Sequence, residues 1–206
     1  MSARGSAISR GLFLAWMLAS AGLAGAHDVA GPVALQTREP SARIAIPDVQ
    51  LLDQDGRSIR FYQDLIKGKV VAIHTVYTSC TTTCPLLAAT FAALQASLGD
   101  RLGEKVRLIS ISVDPATDTP ERLKRWGEKF GMKPGWTLVT GQRGEVVKLL
   151  RALGAYSAKK EEHPPLVLVG NTATGLWTRA YGLVPASRLS ELIESAINGD
   201  PGVAGR

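Results

Sequence analysis

Two hydrophobic periods alternate along residues 46–198, and together they predict an α/β fold. Short runs rich in Val, Ile and Leu are typical of buried strands, and they occur at residues 69–77, 106–113, 136–140 and 165–169. Between these runs apolar residues recur at helical spacing, as on the first helix at Leu87, Phe91, Leu94 and Leu98. Before the first run, an Asp-Gly turn at residues 55–56 joins two extended segments and predicts a β-hairpin.

Proline and capping signals support four helices. Pro85 and Pro185 suit the first turns of the first and last helices. Asp118 with Glu121 fits a capping box, which would open a second helix. A third helix is predicted at residues 146–153. Strands that alternate with helices predict a central mixed sheet, mainly parallel with an antiparallel edge, that is flanked by helices.

The first 26 residues differ in character from the rest of the chain. A basic start, an uncharged apolar run at residues 11–26 and the small residues Ala24–Ala26 are typical of a cleaved secretory signal. The run is short for a membrane span, which needs about 20 residues, but an uncleaved inner-membrane anchor is the alternative. We therefore expect a periplasmic or otherwise exported protein. Residues 27–43 would be a flexible lead-in, and residues 44–200 the folded domain.

Composition narrows the range of functions. The 206-residue chain carries 24 basic and 18 acidic residues, a formal net charge of +6. The basic residues are scattered and are not interleaved with aromatic residues, so nucleic-acid binding is not expected. Without the signal the chain keeps about 180 residues, which is enough for one well-filled hydrophobic core.

The chain has only two cysteines, Cys80 and Cys84, which lie four residues apart where the first buried run meets the first helix. Unsatisfied N–H groups and the helix dipole favour negative charge at a helix start. A thiol in that position ionises more easily, and the thiolate is both a nucleophile and a metal ligand. One helical turn rises about 5.4 Å, so the two side chains can form a disulfide or hold one metal ion.

An exported protein meets oxidising conditions, in which disulfides persist. A purely structural Cys80–Cys84 disulfide is therefore one interpretation. It would close a very short loop, however, and a short loop constrains the unfolded chain much less than a long one. The spacing favours chemistry at the two sulfurs, as a metal site or as a redox pair.

The three histidines are candidates for a further ligand. His163 lies in a polar loop directly before an apolar strand, where it is either free to reach a site or simply a surface residue. His74 lies within a predicted buried strand, and we interpret it as a core histidine with one hydrogen bond. His27 would be the first residue after cleavage, where it would either chelate copper with the terminal amine or belong to a disordered terminus.

Two thiolates and one imidazole form a soft set of three ligands. Such a set suits Cu(I), and Cu(II) with an added ligand. A structural zinc site usually has four protein ligands, so zinc would need a further histidine or carboxylate. Met132 is the only methionine after the expected signal, which excludes a methionine-rich copper site.

The order of four sequence features resembles the Sco/SenC family over residues 44–198. The features are L-D-Q-D-G at residues 52–56, Y-T-S-C-T-T-T-C-P at 77–85, S-V-D-P-A-T-D-T-P at 112–120 and the late His163. The second motif joined to the third makes the resemblance specific. It implies a thioredoxin-like fold, export, and copper bound by Cys80, Cys84 and His163.

The resemblance also implies a function and a partner. Members of the family help to assemble the dinuclear copper centre of cytochrome c oxidase, so the partner would be the copper-receiving oxidase subunit or its chaperone. Alternatively they act as thiol–disulfide reductases. In that case we assign Cys80, which is nearer the strand end, as the attacking cysteine, and Cys84, within the first helical turn, as the one that resolves the mixed disulfide. Asp114 and Asp118 match the acidic loop of the family and would support the site; otherwise they form a strand-end turn and a helix cap.

Related redox families fit less well. Residues 164–165, both proline, resemble the cis-proline loop of thioredoxins, which would bring His163 close to the two cysteines and favours redox exchange. Thioredoxins themselves carry C-x-x-C, which is one residue shorter than this motif. Peroxiredoxins place a threonine three residues before the reactive cysteine, and Tyr77 occupies that position here, so peroxidase activity is a weaker alternative.

Overall fold

The structure, a computed structural model, describes residues 37–41 and 44–199. Its strands are β1 (Thr37–Ser41), β2 (Gln50–Asp53), β3 (Ser58–Arg60), β4 (Val70–Val76), β5 (Val106–Ser112), β6 (Trp136–Thr140), β7 (Leu166–Asn171) and β8 (Leu176–Tyr181). Its α-helices are α1 (Thr83–Leu98), α2 (Pro120–Lys129), α3 (Arg143–Leu153) and α4 (Ala186–Asn198). Shorter helical turns occur at Phe61–Ile66, Gly99–Arg101 and Lys160–Glu162.

The strand order across the sheet is β1-β8-β7-β4-β5-β6-β2-β3. Among the described residues, β4–β5 and β5–β6 are parallel, whereas the other pairings are antiparallel. The predicted mixed sheet and N-terminal hairpin, β2–β3, are confirmed. The prediction that the sheet is mainly parallel is wrong, because β7 enters between β4 and β8 antiparallel to both. β7 is buried on both faces, so its sequence is the continuous apolar run typical of a parallel strand.

Helices cover both faces of the sheet, and successive residues of the central strands point into two different cores. On one face, α1, α2 and α4 pack with Ala72 and Val76 of β4. On the other face, α3 and the turn at Phe61–Ile66 pack with Val71 and Ile73. This burial on both faces explains the continuous apolar runs of the sequence.

The helices largely follow the sequence signals. The predicted inner face of α1 is confirmed by its buried residues, which include Leu87, Phe91, Leu94 and Leu98. At the start of α2 the predicted capping box is wrong: Thr119, not Asp118, is the N-cap. The Thr119 hydroxyl accepts from the Arg122 N–H at 3.4 Å, and Pro120 is the first helical residue. α3 begins earlier than predicted, at Arg143.

The N-terminal predictions fall mostly outside the described residues. Residues 1–26 and His27 are not among them. Part of the expected lead-in, residues 27–43, belongs to the sheet, since β1 pairs antiparallel with β8. In the described ranges, 37–41 and 44–199, no helix is both long enough and apolar enough to cross a membrane.

A glycine on β7 gives a test of the packing between β7 and β8. Gly170 pairs with Trp177, and an added Cβ atom would lie 2.2 Å from Cε3 of the Trp177 ring. Because Trp177 is itself buried, the ring cannot move away without disturbing its neighbours. We expect Gly170→Ala to lower the free energy of unfolding by about 3 kcal/mol, as measured by equilibrium urea denaturation.

Gly144 in α3 provides the matched control. An added Cβ atom there has nothing within 4 Å, so Gly144→Ala should be neutral or stabilise the protein by up to about 1 kcal/mol. Equal unfolding free energies for the two variants would contradict this packing.

Candidate functional site

The two cysteines lie at the edge of the sheet where the parallel strands β4 and β5 end. β4 ends at Val76 and α1 begins at Thr83. Cys80 lies in the connecting turn, where its N–H donates to the Tyr77 carbonyl at 3.1 Å. Cys84 is the second residue of α1. The predicted strand-to-helix position of the cysteines is confirmed, and it is an edge at which α/β sheets commonly bind ligands.

Both thiols are free and almost completely buried, with Cys80 7% and Cys84 1% exposed. The Cys84 N–H donates to Cys80 Sγ at 3.4 Å. The hydroxyl oxygens of Thr82 and Thr83 lie 3.7 Å and 4.0 Å from the same sulfur. Cys80 Sγ therefore accepts one of the unpaired N–H groups at the start of α1.

The two thiols differ in acidity. Burial acts to raise the pKa of Cys80, but the Cys84 thiol and the N–H groups of Cys84 and Thr82 stabilise the thiolate and lower the pKa to about 6. Burial, and then the adjacent Cys80, raise the pKa of Cys84 to about 12. At neutral pH the metal-free protein therefore holds Cys80 as a thiolate and Cys84 as a thiol. This difference in acidity suits Cys80 as the attacking cysteine and Cys84 as the resolving one.

Tyr77 lies next to both Cys80 and His163. The rings of Tyr77 and His163 meet edge to face, with their centroids 5.6 Å apart. Burial, followed by the neighbouring Cys80, raises the pKa of Tyr77 to about 12. His163 Nδ1 bonds to the Lys160 carbonyl. Because a carbonyl oxygen can only accept, Nδ1 carries the proton and Nε2 keeps the lone pair that a metal would use.

Lys160 fixes the loop that carries His163. Its ammonium group donates to Asp114 Oδ2 at 2.7 Å and lies 5.4 Å from the centroid of the Tyr77 ring. Although burial opposes it, the Lys160 ammonium lowers the pKa of Asp114. Lys160 therefore links Asp114 to the loop that carries His163.

Asp118 fixes the turn that precedes the cysteines. Its carboxylate is 1% exposed and accepts from the Thr78 hydroxyl at 2.6 Å, the Thr78 N–H at 3.2 Å and the Ser112 hydroxyl at 2.6 Å. These donors satisfy a buried carboxylate. Asp118 is thus not the helix cap that the sequence suggested. It joins the end of β5 to the residue two positions before Cys80.

The structure brings some of the expected ligands together and not others. Cys80 and Cys84 are in contact, whereas His163 packs against Tyr77. Among the described residues, no three His, Cys, Asp or Glu side chains lie close enough to hold one metal ion. The expected set of Cys80, Cys84 and His163 is therefore not assembled in this conformation, and His163 would have to shift toward the sulfurs to join them.

His74 is the core histidine that the sequence predicts. It is fully buried, and Nε2 lies 2.6 Å from the Ser110 hydroxyl, which also accepts from the Trp136 indole N–H at 2.9 Å. Burial lowers the pKa of His74 to about 3, so the imidazole is neutral at pH 7. Its ring packs on Phe91, with centroids 4.1 Å apart.

Sequence reasoning missed three residues that shape the site: Tyr77, Thr78 and Lys160. Thr78 carries a usable signal, since a polar residue directly after a buried strand needs a partner. Tyr77 is visible only as a residue of the cysteine motif. Lys160 carries no signal, because it is one of several charged residues in its loop and its partner lies far away in the sequence.

A mixed sheet covered by helices, with two cysteines where a central strand passes into a helix, defines a thioredoxin-like dithiol protein. The sequence profile described as SCO1/SenC matches residues 38–176. The chain therefore belongs to the SCO1/SenC family, as its motifs implied.

A curated relative and two solved structures are similar to this chain. A candidate copper-binding protein of Stutzerimonas stutzeri is 30% identical over 110 residues, 53% of this chain and 52% of that protein. The chain spans about half the length of the curated relatives it matches.

Among solved structures, a SCO1/SenC family lipoprotein from Bacillus anthracis str. Ames is 25% identical with a TM-score of 0.66, over 78% of this chain and 98% of that one. BsSco, a member of the Sco family of cytochrome c oxidase assembly proteins with a disulfide switch, is 26% identical with a TM-score of 0.64, over 78% and 97%. Both likenesses confirm the thioredoxin-like fold.

The difference between the two thiols predicts selective alkylation. With iodoacetamide, the reduced, metal-free protein should be modified first at Cys80, at least about tenfold faster than at Cys84, because the thiolate is the nucleophile. The Cys80 rate should fall as the pH is lowered through about 6, since the sulfur is then protonated. Fragment mass spectrometry assigns each site. Faster modification of Cys84, or a pH midpoint near that of an ordinary thiol, would contradict the assignment.

Proposed function

We propose that this protein binds copper through Cys80 and Cys84, with His163 as third ligand, and delivers it to the dinuclear copper centre of cytochrome c oxidase. The observation that carries the proposal is the pair of free, buried, contacting thiols at the start of α1 in a chain of the SCO1/SenC family. The Stutzerimonas relative is named for copper binding, and BsSco for oxidase assembly.

The donors fit copper better than other ions. Two sulfurs form a soft site that suits Cu(I), and the same site takes Cu(II) when nitrogen is added. Zinc prefers four protein ligands in a structural site, one more than the three proposed here. Burial of both sulfurs keeps water and oxidants away from a bound Cu(I) ion.

His163 supplies the nitrogen through a movement of its loop. Its Nε2 lone pair is available because Nδ1 is held by the Lys160 carbonyl. The loop is tied to the rest of the fold by the Lys160–Asp114 ion pair, in which Asp114 is mostly buried. The flexible lysine side chain can absorb a small displacement of this loop toward the dithiol without loss of the ion pair.

Oxidation of the dithiol would block loading. A Cys80–Cys84 disulfide lacks the thiolate charge that strong copper ligation needs. The redox poise of the compartment would then control how much protein can accept the ion. The disulfide switch reported for BsSco belongs to that protein, and it supports a similar dependence here.

We place the protein outside the cytoplasm, in the periplasm or an equivalent compartment, either released or anchored through residues 1–26. The apolar run and the small residues at 24–26 support export. The similar lipoprotein from Bacillus anthracis is also consistent with a place at the outer side of a membrane. The partner would be the copper-receiving oxidase subunit or a chaperone that serves it.

Disulfide reduction is the second candidate function, and the geometry of the two thiols favours it. Cys84 N–H donates directly to Cys80 Sγ, as suits an attacking thiolate with a resolving thiol close by. In this role His163 is not a ligand and need not leave Tyr77. The unassembled three-ligand set is compatible with either function.

Copper affinity tests the ligand set. Loss of a residue that merely orients a metal ligand costs about 10- to 100-fold in affinity, so loss of a thiolate ligand should cost more. We expect the reduced protein to bind one Cu(I) ion in competition with bicinchoninate. Cys80→Ser and Cys84→Ser should weaken binding more than about 100-fold, and His163→Ala about 10- to 100-fold.

The control is Glu162→Gln, which changes the exposed neighbour of His163 and should leave copper affinity unchanged. If His163→Ala keeps the affinity and the copper spectrum of the unaltered protein, His163 is not a ligand. Tight Cu(I) binding by the fully oxidised protein would remove the dithiol from the site altogether.

Complementation separates the two functions. In a host that lacks this protein, His163→Ala should abolish oxidase assembly at limiting copper, because copper is no longer held for transfer. Reduction of a disulfide substrate by the same variant should stay largely intact. If His163→Ala restores oxidase activity fully while Cys80→Ser does not, the copper-carrier proposal should be replaced by the reductase.

A further inference from the structure

One face of α2 carries three cations that the site described above does not use. Arg122, Arg125 and Lys129 are exposed and follow one another at helical spacing. In the part of the chain that the structure describes, none of them forms an ion pair. We call these three residues the basic face.

The basic face lies beside the dithiol. Its three cations line a small cavity of about 160 Å³ together with Thr78 and the buried Trp126. Thr78 is two residues before Cys80 and is held by the Asp118 carboxylate. Any molecule that occupies this cavity therefore touches the same turn that carries the attacking sulfur.

The neighbouring acidic residues do not cancel this charge. Lys124 of the same helix is bound to Asp55 at 3.0 Å, and Glu128 interacts with Lys124. Glu121 is the exposed carboxylate that interacts with Arg125. Asp118 is buried behind Thr78 with its oxygens engaged. The basic face thus carries three cations against two exposed carboxylates of α2, Glu121 and Glu128, and Lys124 offsets the second of these.

We propose that the basic face is the docking surface for an acidic segment of the protein partner that exchanges copper or electrons with Cys80. This inference rests on the proposed function, since either function requires a partner protein at the dithiol. Cys80 is only 7% exposed, so a partner must also contact the surface around it. Charge complementarity at that rim speeds encounter and fixes the orientation of the partner.

An acidic protein fits the surface better than a nucleic acid or a membrane. The cavity is lined by three cations, which suits a carboxylate, and Trp126, which also lines it, packs at a tilted angle on Phe130 with ring centroids 4.7 Å apart. The face has three cations on about two helical turns, which is short for tracking a nucleic-acid backbone. The basic face also lies beside Cys80, which would be of use to a protein that reacts with the sulfur but not to a nucleic acid or a membrane.

The test uses the chemistry that any accessible dithiol performs, so it does not depend on which function is correct. The probe is a disulfide-linked peptide dimer whose cysteines are flanked by glutamates, with a glutamine-flanked version for comparison. Cys80 thiolate attacks the peptide disulfide and releases one peptide thiol. Cys84 then attacks Cys80 Sγ, releases the second peptide thiol and leaves the Cys80–Cys84 disulfide, so two electrons pass to the peptide.

The full-length reduced protein should react about tenfold faster with the glutamate peptide than with the glutamine peptide at about 10 mM salt. At about 1 M salt the two rates should become similar, because exposed charges are then screened. The triple variant Arg122→Glu/Arg125→Glu/Lys129→Glu should lose or reverse the preference. Both peptides should still be reduced by it, since the dithiol is intact.

The matched control is Lys67→Glu/Lys105→Glu/Lys148→Glu, which makes the same change in net charge at exposed positions away from the dithiol. It should keep most of the preference for the glutamate peptide. If both triple variants lose the preference equally, the effect comes from net charge alone and the basic face is not a docking surface.

A second readout separates this proposal from the proposed function. The glutamate peptide with serine in place of cysteine cannot react, and it should shift the amide resonances of α2 and Thr78 in the ¹⁵N-labelled protein. Absence of those shifts overturns the docking surface even where copper binding and oxidase complementation succeed. Binding to phosphatidylglycerol vesicles that requires the basic face, without any peptide preference, would overturn it in favour of a membrane.

Discussion

The site depends on one buried carboxylate. Asp118 lies between the end of β5 and the residue that follows β4 by two positions, and its oxygens accept from Thr78 and Ser112. A buried carboxylate destabilises the fold unless its oxygens accept hydrogen bonds, so the loss of any one donor is costly. The turn that leads to Cys80 therefore has little freedom, and the sulfur is presented to the start of α1 in one position.

The site consists of two parts that are held by different residues. The dithiol is fixed by the sheet, by Asp118 and by the N–H groups of α1. The His163 loop is fixed by Lys160, which bonds to Asp114 and lies over the Tyr77 ring. The two parts meet at Tyr77, because its ring contacts His163 and the neighbouring Cys80 raises its pKa. The ring contact of Tyr77 with His163 and the Lys160–Asp114 ion pair join the two parts, and the flexible lysine side chain allows the imidazole to move while the sulfurs stay fixed.

Local patterns in the sequence predict most of the strands and helices and part of the site. The spacing of apolar residues predicts that β5 and β6 are buried and which face of α1 points inward. Together with the proline signals, it also predicts that the cysteines lie between a strand and a helix. The direction of β7 does not, because a strand buried on both faces looks the same whether its neighbours are parallel or antiparallel. Asp118 and Thr119 both suit a helix cap, and the contacts with Ser112 and with Thr78, which is distant in the sequence, decide which of them turns inward. The contact of His163 with Tyr77 is likewise set by the pairing of β7 with β4, which is long-range information.

The close approach of Gly170 to the Trp177 ring has a consequence for how this sequence can change over evolutionary time. With 2.2 Å between an added Cβ atom and the ring, any side chain at position 170 displaces the tryptophan and destabilises the fold. A larger residue at 170 becomes acceptable only after a smaller one has replaced Trp177, and that first step opens a cavity in the core. The two positions are therefore separated from alternative pairs by a fitness valley, and they should be inherited together even where the surrounding residues diverge.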